Sequence, residues 1–131
     1  MQGSIVDDLR SAQWYVGQDR NAYIHRAWMR RGLPENALDG TKPQIAIANT
    51  ASDLTPCNMH LDEVSESVQK GIWEAGGVPY NLPVVSLGET VLKPTAMLWR
   101  SISSMAIAAM LRQSMAVGFR TVSPRETTGR L

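Results

Sequence analysis

Apolar positions are scattered through the first third of the chain and fall into regular rhythms after it. Residues 1–19 show no sustained period and read as an arm. The stretch RNAYIHRAWMRR (20–31) sets Ile24, Ala27, Trp28 and Arg31 on neighbouring turns, which predicts a helix stopped by Gly32. GLPENALDGTKP then reads as a loop from its Gly, Pro, Asn and Asp. From residue 44 the pattern sharpens. QIAIANT (44–50) is a nearly all-apolar run, the signature of a strand buried on both faces. A helix is predicted over 58–75, with Leu61, Val64, Val68 and Ile72 at the helical interval and Gly76-Gly77 at its end. VPYNLPVVS (78–86) predicts a second strand, irregular at its start because of Pro79 and Pro83. A second long helix follows over 94–113, opened by Pro94, with Leu98, Ile102, Met105 and Ala109 expected to face inward. AVGFRTVS (116–123) predicts a last, weak strand.

The order strand–helix–strand–helix–strand predicts an α/β fold, part of a parallel-sheet α/β/α sandwich with right-handed crossovers, preceded by a helical N-terminal arm. The expected division is an arm and helix over 1–43 and a partial α/β domain over 44–131. In open parallel sheets, ligands sit beyond the carboxyl ends of the strands. Three loops belong at that edge: ASDLTPCN, LGETVLKP and PRETTG. The topology therefore predicts Cys57 and Glu89 on one edge of the sheet.

Composition changes this picture little. At 131 residues, 44% hydrophobic and 19% charged, the chain suits one globular domain or a piece of a larger one, not a disordered segment. The net charge of +1 conceals segments of opposite sign. Residues 45–99 carry 2 basic and 6 acidic groups, and residues 100–131 carry 5 and 1. The basic residues of the tail are too sparse and too poor in aromatics to argue for nucleic acid, and no run is long enough for a membrane span. A single cysteine excludes an internal disulfide, and the N-terminus lacks the features of a signal peptide, so a cytoplasmic protein is expected.

The residues that carry candidate chemistry each have a structural alternative. Cys57, just ahead of or at the start of a helix, suits a metal-bound thiolate or a nucleophile with a lowered pKa; the alternative is a small buried hydrophobe. Glu89, at a strand end, can bind a hard cation such as magnesium through oxygen; the alternative is a helix-start glutamate paired with Lys93. Cys57 and His60 have the spacing of half a zinc site, but no second pair exists, and His25 and His60 are expected in surface or hydrogen-bonded structural roles. The methionines of the 94–113 helix and the four tryptophans are expected in the core.

HRAWMRRGLPENALDG, NTASDLTPCNMHLDEV, KGIWEAGGVPYNLPVVSLGET and KPTAMLWR resemble consecutive blocks of the dihydroxy-acid and sugar-acid dehydratases, the IlvD/Edd family. The resemblance covers about residues 9–112. The TPCN and SLGE forms look more like its aldonate branch, which acts on acids such as arabinonate or xylonate. The resemblance implies a hydro-lyase that removes water from a 2,3-dihydroxy acid to leave a 2-keto-3-deoxy acid. It also implies an iron–sulfur cluster (2Fe-2S or 4Fe-4S) with Cys57 as one ligand, and magnesium on Glu89. A small sugar acid is the implied partner, without nucleic acid or membrane, in a homo-oligomer. The general base is implied to be a serine of a later domain, so no catalytic residue is expected in this chain.

Where the family's next block reads Gly-Gly-Cys-Asp-Lys-Thr, this chain has SPRETTG, with Arg125, Glu126 and Thr127 in place of Cys, Asp and Lys. Glu126 is thus the one candidate for the second magnesium carboxylate, and a second cluster cysteine is missing. The expectation for 44–131 is a truncated N-terminal domain of such a dehydratase, which alone is inactive and does not retain its cofactors. The alternative is a truncated or frameshifted remnant with at most a role in association.

Overall fold

The computed structural model describes residue 9, residues 11–30 and 32–114, and the backbone of residues 119–121. Helices α1 (Ala12–Tyr15) and α2 (Arg20–Met29) precede strand β1 (Gln44–Asn49). Helix α3 (Leu61–Glu74), strand β2 (Val78–Pro83), helix α4 (Met97–Gln113) and strand β3 (Phe119–Thr121) follow. The three strands form one sheet in the order β2-β1-β3. Both pairings are parallel: Gln44 faces Val78 and Asn49 faces Pro83, while Ala46 faces Phe119 and Ala48 faces Thr121. The α/β class with a parallel sheet is therefore as the pattern predicts.

The central strand explains itself. Every residue of β1 is buried except the half-buried Ile45, as an apolar run flanked by strands on both sides requires. Helix α3 crosses from β1 to β2 and turns Leu61 and Ser65 fully inward, with Val64, Val68 and Ile72 half-buried beside them. Its end is a Schellman motif. Gly77 N–H donates to Ile72 O at 2.9 Å and Gly76 N–H to Trp73 O at 3.0 Å, with Gly76 at φ +86°. Pro79 and Pro83 are accommodated because, among the described residues, β2 lies at the edge of this sheet and is bonded to β1 alone.

The N-terminal segment is more than an arm. Tyr15 is 1% exposed and packs with Ala37, Leu38 and Val78, at the starting end of the strands. Its hydroxyl bonds that of Tyr80. Tyr80 in turn donates to Gln44 Oε1 at 2.7 Å, and Gln44 Nε2 donates to Ala37 O at 2.9 Å. Helix α2 is capped by Asp19, whose Oδ1 accepts from Ala22 N–H at 3.2 Å. Arg26 Nη1 donates to the carbonyls of Tyr15 and Gly17, and the His25 ring packs tilted at 51° to Trp14, with ring centroids 5.0 Å apart. These polar residues turn α2 so that Ala27 and Trp28 are exposed, and Trp28 is not in the core expected for the tryptophans. Arg31, at the end of the expected helix, lies outside the described residues.

Helix α4 departs furthest from expectation. Leu98, Ile102 and Met105 are 71%, 58% and 72% exposed, and Ala109 is exposed as well. The line turned toward the protein is instead Trp99, Ser103, Ile107 and Leu111, of which Ile107 is buried. With about 3.6 residues per turn, Ile107 sits roughly opposite Leu98. The helix is apolar nearly all round, so periodicity offers two faces and packing chooses between them. Met97, Met105 and Met110 are likewise exposed, not core. Among the tryptophans, Trp14 and Trp73 pack against the core, and Trp28 does not.

Two stability outcomes follow. Gly40 has φ +85°, and a Cβ there would overlap Val16 Cγ2, so Gly40→Ala is expected to lower the unfolding free energy by about 1–3 kcal/mol in urea titration. Tyr15 has its pKa raised, chiefly by burial and then by Tyr80, and Tyr80 has its own raised by burial. The unfolded chain therefore loses these protons first, and stability is expected to fall as pH climbs above the ordinary tyrosine value of 10.0. Urea midpoints across that range check this, and Tyr15→Phe should flatten the decline.

Candidate functional site

Parallel pairing puts the loop after β1 and the loop after β2 at one edge of the sheet, so Cys57 and Glu89 lie on adjacent loops. In the first loop Asn49, the last residue of β1, turns its side chain back. Its Nδ2 donates to Asp62 Oδ1 at 2.7 Å and its Oδ1 accepts from Ala51 N–H at 3.0 Å. Pro56–Asn58 forms a single 3-10 turn before α3 begins at Leu61. Cys57 sits on this turn, free and exposed, which overturns the buried-hydrophobe alternative. Proline at the head of the turn presets the backbone, and the thiol is left facing outward. His60 is the exposed N-cap residue of α3 and makes no side-chain capping bond. His25 lies elsewhere, its Nδ1 3.4 Å from Trp14 O, in the structural role expected of it.

The second loop is sewn to the first. Asn58 Nδ2 donates to Ser86 Oγ at 3.0 Å and to Thr50 O at 3.1 Å. Thr55 Oγ1 donates to Ser86 O at 3.3 Å, and Ser86 Oγ lies 3.4 Å from Thr55 Oγ1. Sequence reasoning missed these residues. The available signal was a set of short polar side chains in the two loops, each able to bond backbone across a turn.

Glu89 follows Gly88 and is exposed, while its Oε2 accepts from Ala96 N–H at 3.0 Å. Thr95 Oγ1 accepts from Met97 N–H at 3.2 Å. Together they satisfy donors at the start of α4, which is why that helix begins at Met97, after Pro94. The helix-start role of Glu89 is thus real, but its partner is a backbone amide, not Lys93. The other carboxylate oxygen makes no protein hydrogen bond among the described residues.

The donor set can be matched to ligands directly. Cys57 is the chain's single cysteine, so these residues supply one thiolate to an iron–sulfur cluster that takes several ligands. They do not make a cluster site. Among the described residues no three His, Cys, Asp or Glu side chains gather as a metal site. Glu89 alone does fit a magnesium ligand, because that ion is bound through one or two carboxylates and keeps waters and substrate oxygens. Glu126, with Arg125 and Thr127, lies outside the described residues. No helix among the described residues is long and apolar enough to cross a membrane.

Residues 42–123 match the family model described as dihydroxy-acid/6-phosphogluconate dehydratase N-terminal. The chain belongs to this dehydratase N-terminal family. The match takes in β1, α3, β2 and α4, and with them both site loops. Among similar proteins, L-arabonate dehydratase of Azospirillum brasilense is 47% identical over 105 residues, 79% of this chain. L-arabinonate dehydratase of Rhizobium leguminosarum bv. trifolii is 46% identical over 105 residues, also 79% of this chain. Dihydroxy-acid dehydratase of Natronomonas pharaonis is 35% identical over 112 residues, 86% of this chain. The chain spans 18% of the length of each of these relatives.

With one thiol, the 131-residue chain is expected to take up well below one cluster per monomer on anaerobic reconstitution, as measured by iron and sulfide content. A stoichiometric cluster on a monomeric chain would contradict the donor count.

Proposed function

We propose that this chain forms the N-terminal part of a sugar-acid dehydratase, a hydro-lyase acting on an aldonate. What carries the reading is family membership combined with 46% and 47% identity to two arabinonate dehydratases, against 35% to a dihydroxy-acid dehydratase. In the proposed reaction a 2,3-dihydroxy acid loses its C2 proton and its C3 hydroxyl, which leave together as water. The resulting enol then tautomerises to the 2-keto-3-deoxy acid. Within this reading the protein works in the cytoplasm, and residues 44–131 belong to the N-terminal domain of the whole enzyme, with 1–43 as its leading segment.

The roles proposed for the chain's own residues are limited and specific. Glu89 offers one carboxylate oxygen outward while the other holds the start of α4, so the ligand is braced by a helix end. A magnesium ion bound there would supply positive charge toward the substrate's carboxylate end. Glu126 is proposed as a further magnesium carboxylate. Cys57 is proposed as one cluster ligand, on a turn that leaves its sulfur exposed for a cluster completed by residues from elsewhere. A second reading, in which the chain is an inactive truncated or frameshifted remnant with at most a role in association, is favoured by the single thiol and by Arg125 where the family carries cysteine.

A chimera tests the choice. Residues 1–112 of this chain, replacing the matching part of the Azospirillum brasilense enzyme, are expected to support dehydration of arabinonate, followed by 2-keto acid formation. Glu89→Ala in that chimera should lower turnover by about 100-fold or more, with weakened magnesium dependence. A folded but inactive chimera would favour the second reading.

A further inference from the structure

The bonds between the two site loops have a direction and a centre. Ser86 Oγ accepts from Asn58 and donates to Thr55 Oγ1, while Ser86 O accepts from Thr55 Oγ1. Each hydroxyl proton is used once, so the set is self-consistent. Asn58 adds a bond to Thr50 O, at the exit of β1. Thr55 is buried, and Gly88 lies beside it, where an added Cβ would be in van der Waals contact with Thr55 Cγ2 at 3.4 Å. Asn58 adjoins Cys57, and Ser86 stands three residues before Glu89. Neither Cys57 nor Glu89 joins these bonds, yet both are carried by the segments that the bonds clamp.

We propose that Asn58 is a positioning residue: through Ser86 it clamps the Cys57 turn to the Glu89 loop, holding thiol and carboxylate in fixed relation before any ligand arrives. This deepens the functional reading above and rests on it for the purpose of the clamp, though not for its existence. The chemistry singles out asparagine. Aspartate has the same shape but no donor and would set a negative charge against Thr50 O, whereas glutamine would overreach by one methylene.

Cys57, being the single cysteine, accepts a nitroxide spin label without any other substitution, and electron paramagnetic resonance of the 131-residue chain reads its mobility. Asn58→Ala, Asn58→Asp and Ser86→Ala are each expected to raise the mobile-to-immobile ratio at Cys57 about five-fold or more, five-fold being the ratio for the Asn58–Ser86 hydrogen bond that all three remove. Ser86→Thr, which keeps the hydroxyl, should stay near the parent, and the Asn58→Ala/Ser86→Ala pair should add little to either single change. A control label on α3, introduced as Glu66→Cys in a Cys57→Ser chain, should not respond. An unchanged Cys57 spectrum in Ser86→Ala, additive effects, or equal loosening at the control would overturn the clamp. If Asn58→Ala does not fold, Ser86→Ala carries the test; loss of circular dichroism in both would also overturn it, since the bonds would then support the whole fold. The readout needs no cluster, magnesium or substrate, so its failure and that of the dehydratase reading are distinguishable.

Discussion

Parallel pairing of β1 with β2 is the constraint on which the remaining arrangement hangs. Parallel neighbours cannot be joined by a tight turn, so the chain must cross over, and α3 is that crossover. Because β1 is buried on both faces, it takes the centre of the sheet, and α3 supplies an apolar stripe as cover. The same pairing brings the exits of both strands to one edge. Two loops distant in sequence thereby become neighbours, and side-chain hydrogen bonds then join them.

The two ends of the sheet are then treated differently. At the starting end, Tyr15, Leu38 and Val78 close the structure with apolar packing, and Tyr80 and Gln44 pair their buried polar atoms. Each ordinary hydrogen bond contributes only about 1 kcal/mol net, but leaving such groups unpaired would cost more. At the exit end, among the described residues, the loops are joined by polar side chains. Thr55, Asn58 and Ser86 hold the loops by side-chain bonds, and Cys57 and Glu89 stand exposed beside them. An end held by polar side chains leaves reactive groups accessible, which an apolar plug would not.

Glu89 joins two levels of this organisation. One oxygen belongs to the start of α4, so the loop's carboxylate and the helix's first turn share a bond. In the proposed magnesium role, a cation drawing on both Glu89 oxygens would compete with the Ala96 amide and so be coupled to the seating of α4. The broad apolar surface of α4, with Leu98, Ile102 and Met105 outermost, follows from a helix that seats only its Trp99–Ile107–Leu111 line.

The amino-acid sequence alone determined the strands, the crossover helix and the edge on which Cys57 and Glu89 fall. Those features follow from short-range rules: an unbroken apolar run for β1, a helical interval ended by Gly76-Gly77 for α3, and the fixed sense of parallel crossovers. It also carried the family motifs, which are patterns of side-chain identity and need no coordinates. Only the tertiary structure decided which face of α4 turns inward, because a helix apolar on all sides has no preferred face until neighbours provide one. The outward turn of Trp28 was likewise set by Arg26 and His25 binding Tyr15, Gly17 and Trp14, partners up to 11 residues away. The clamp of Asn58 on Ser86, across 28 residues, was illegible for the same reason. Periodicity reports where apolar surface must be buried; which polar groups meet is settled by the geometry of loops that the sheet brings together.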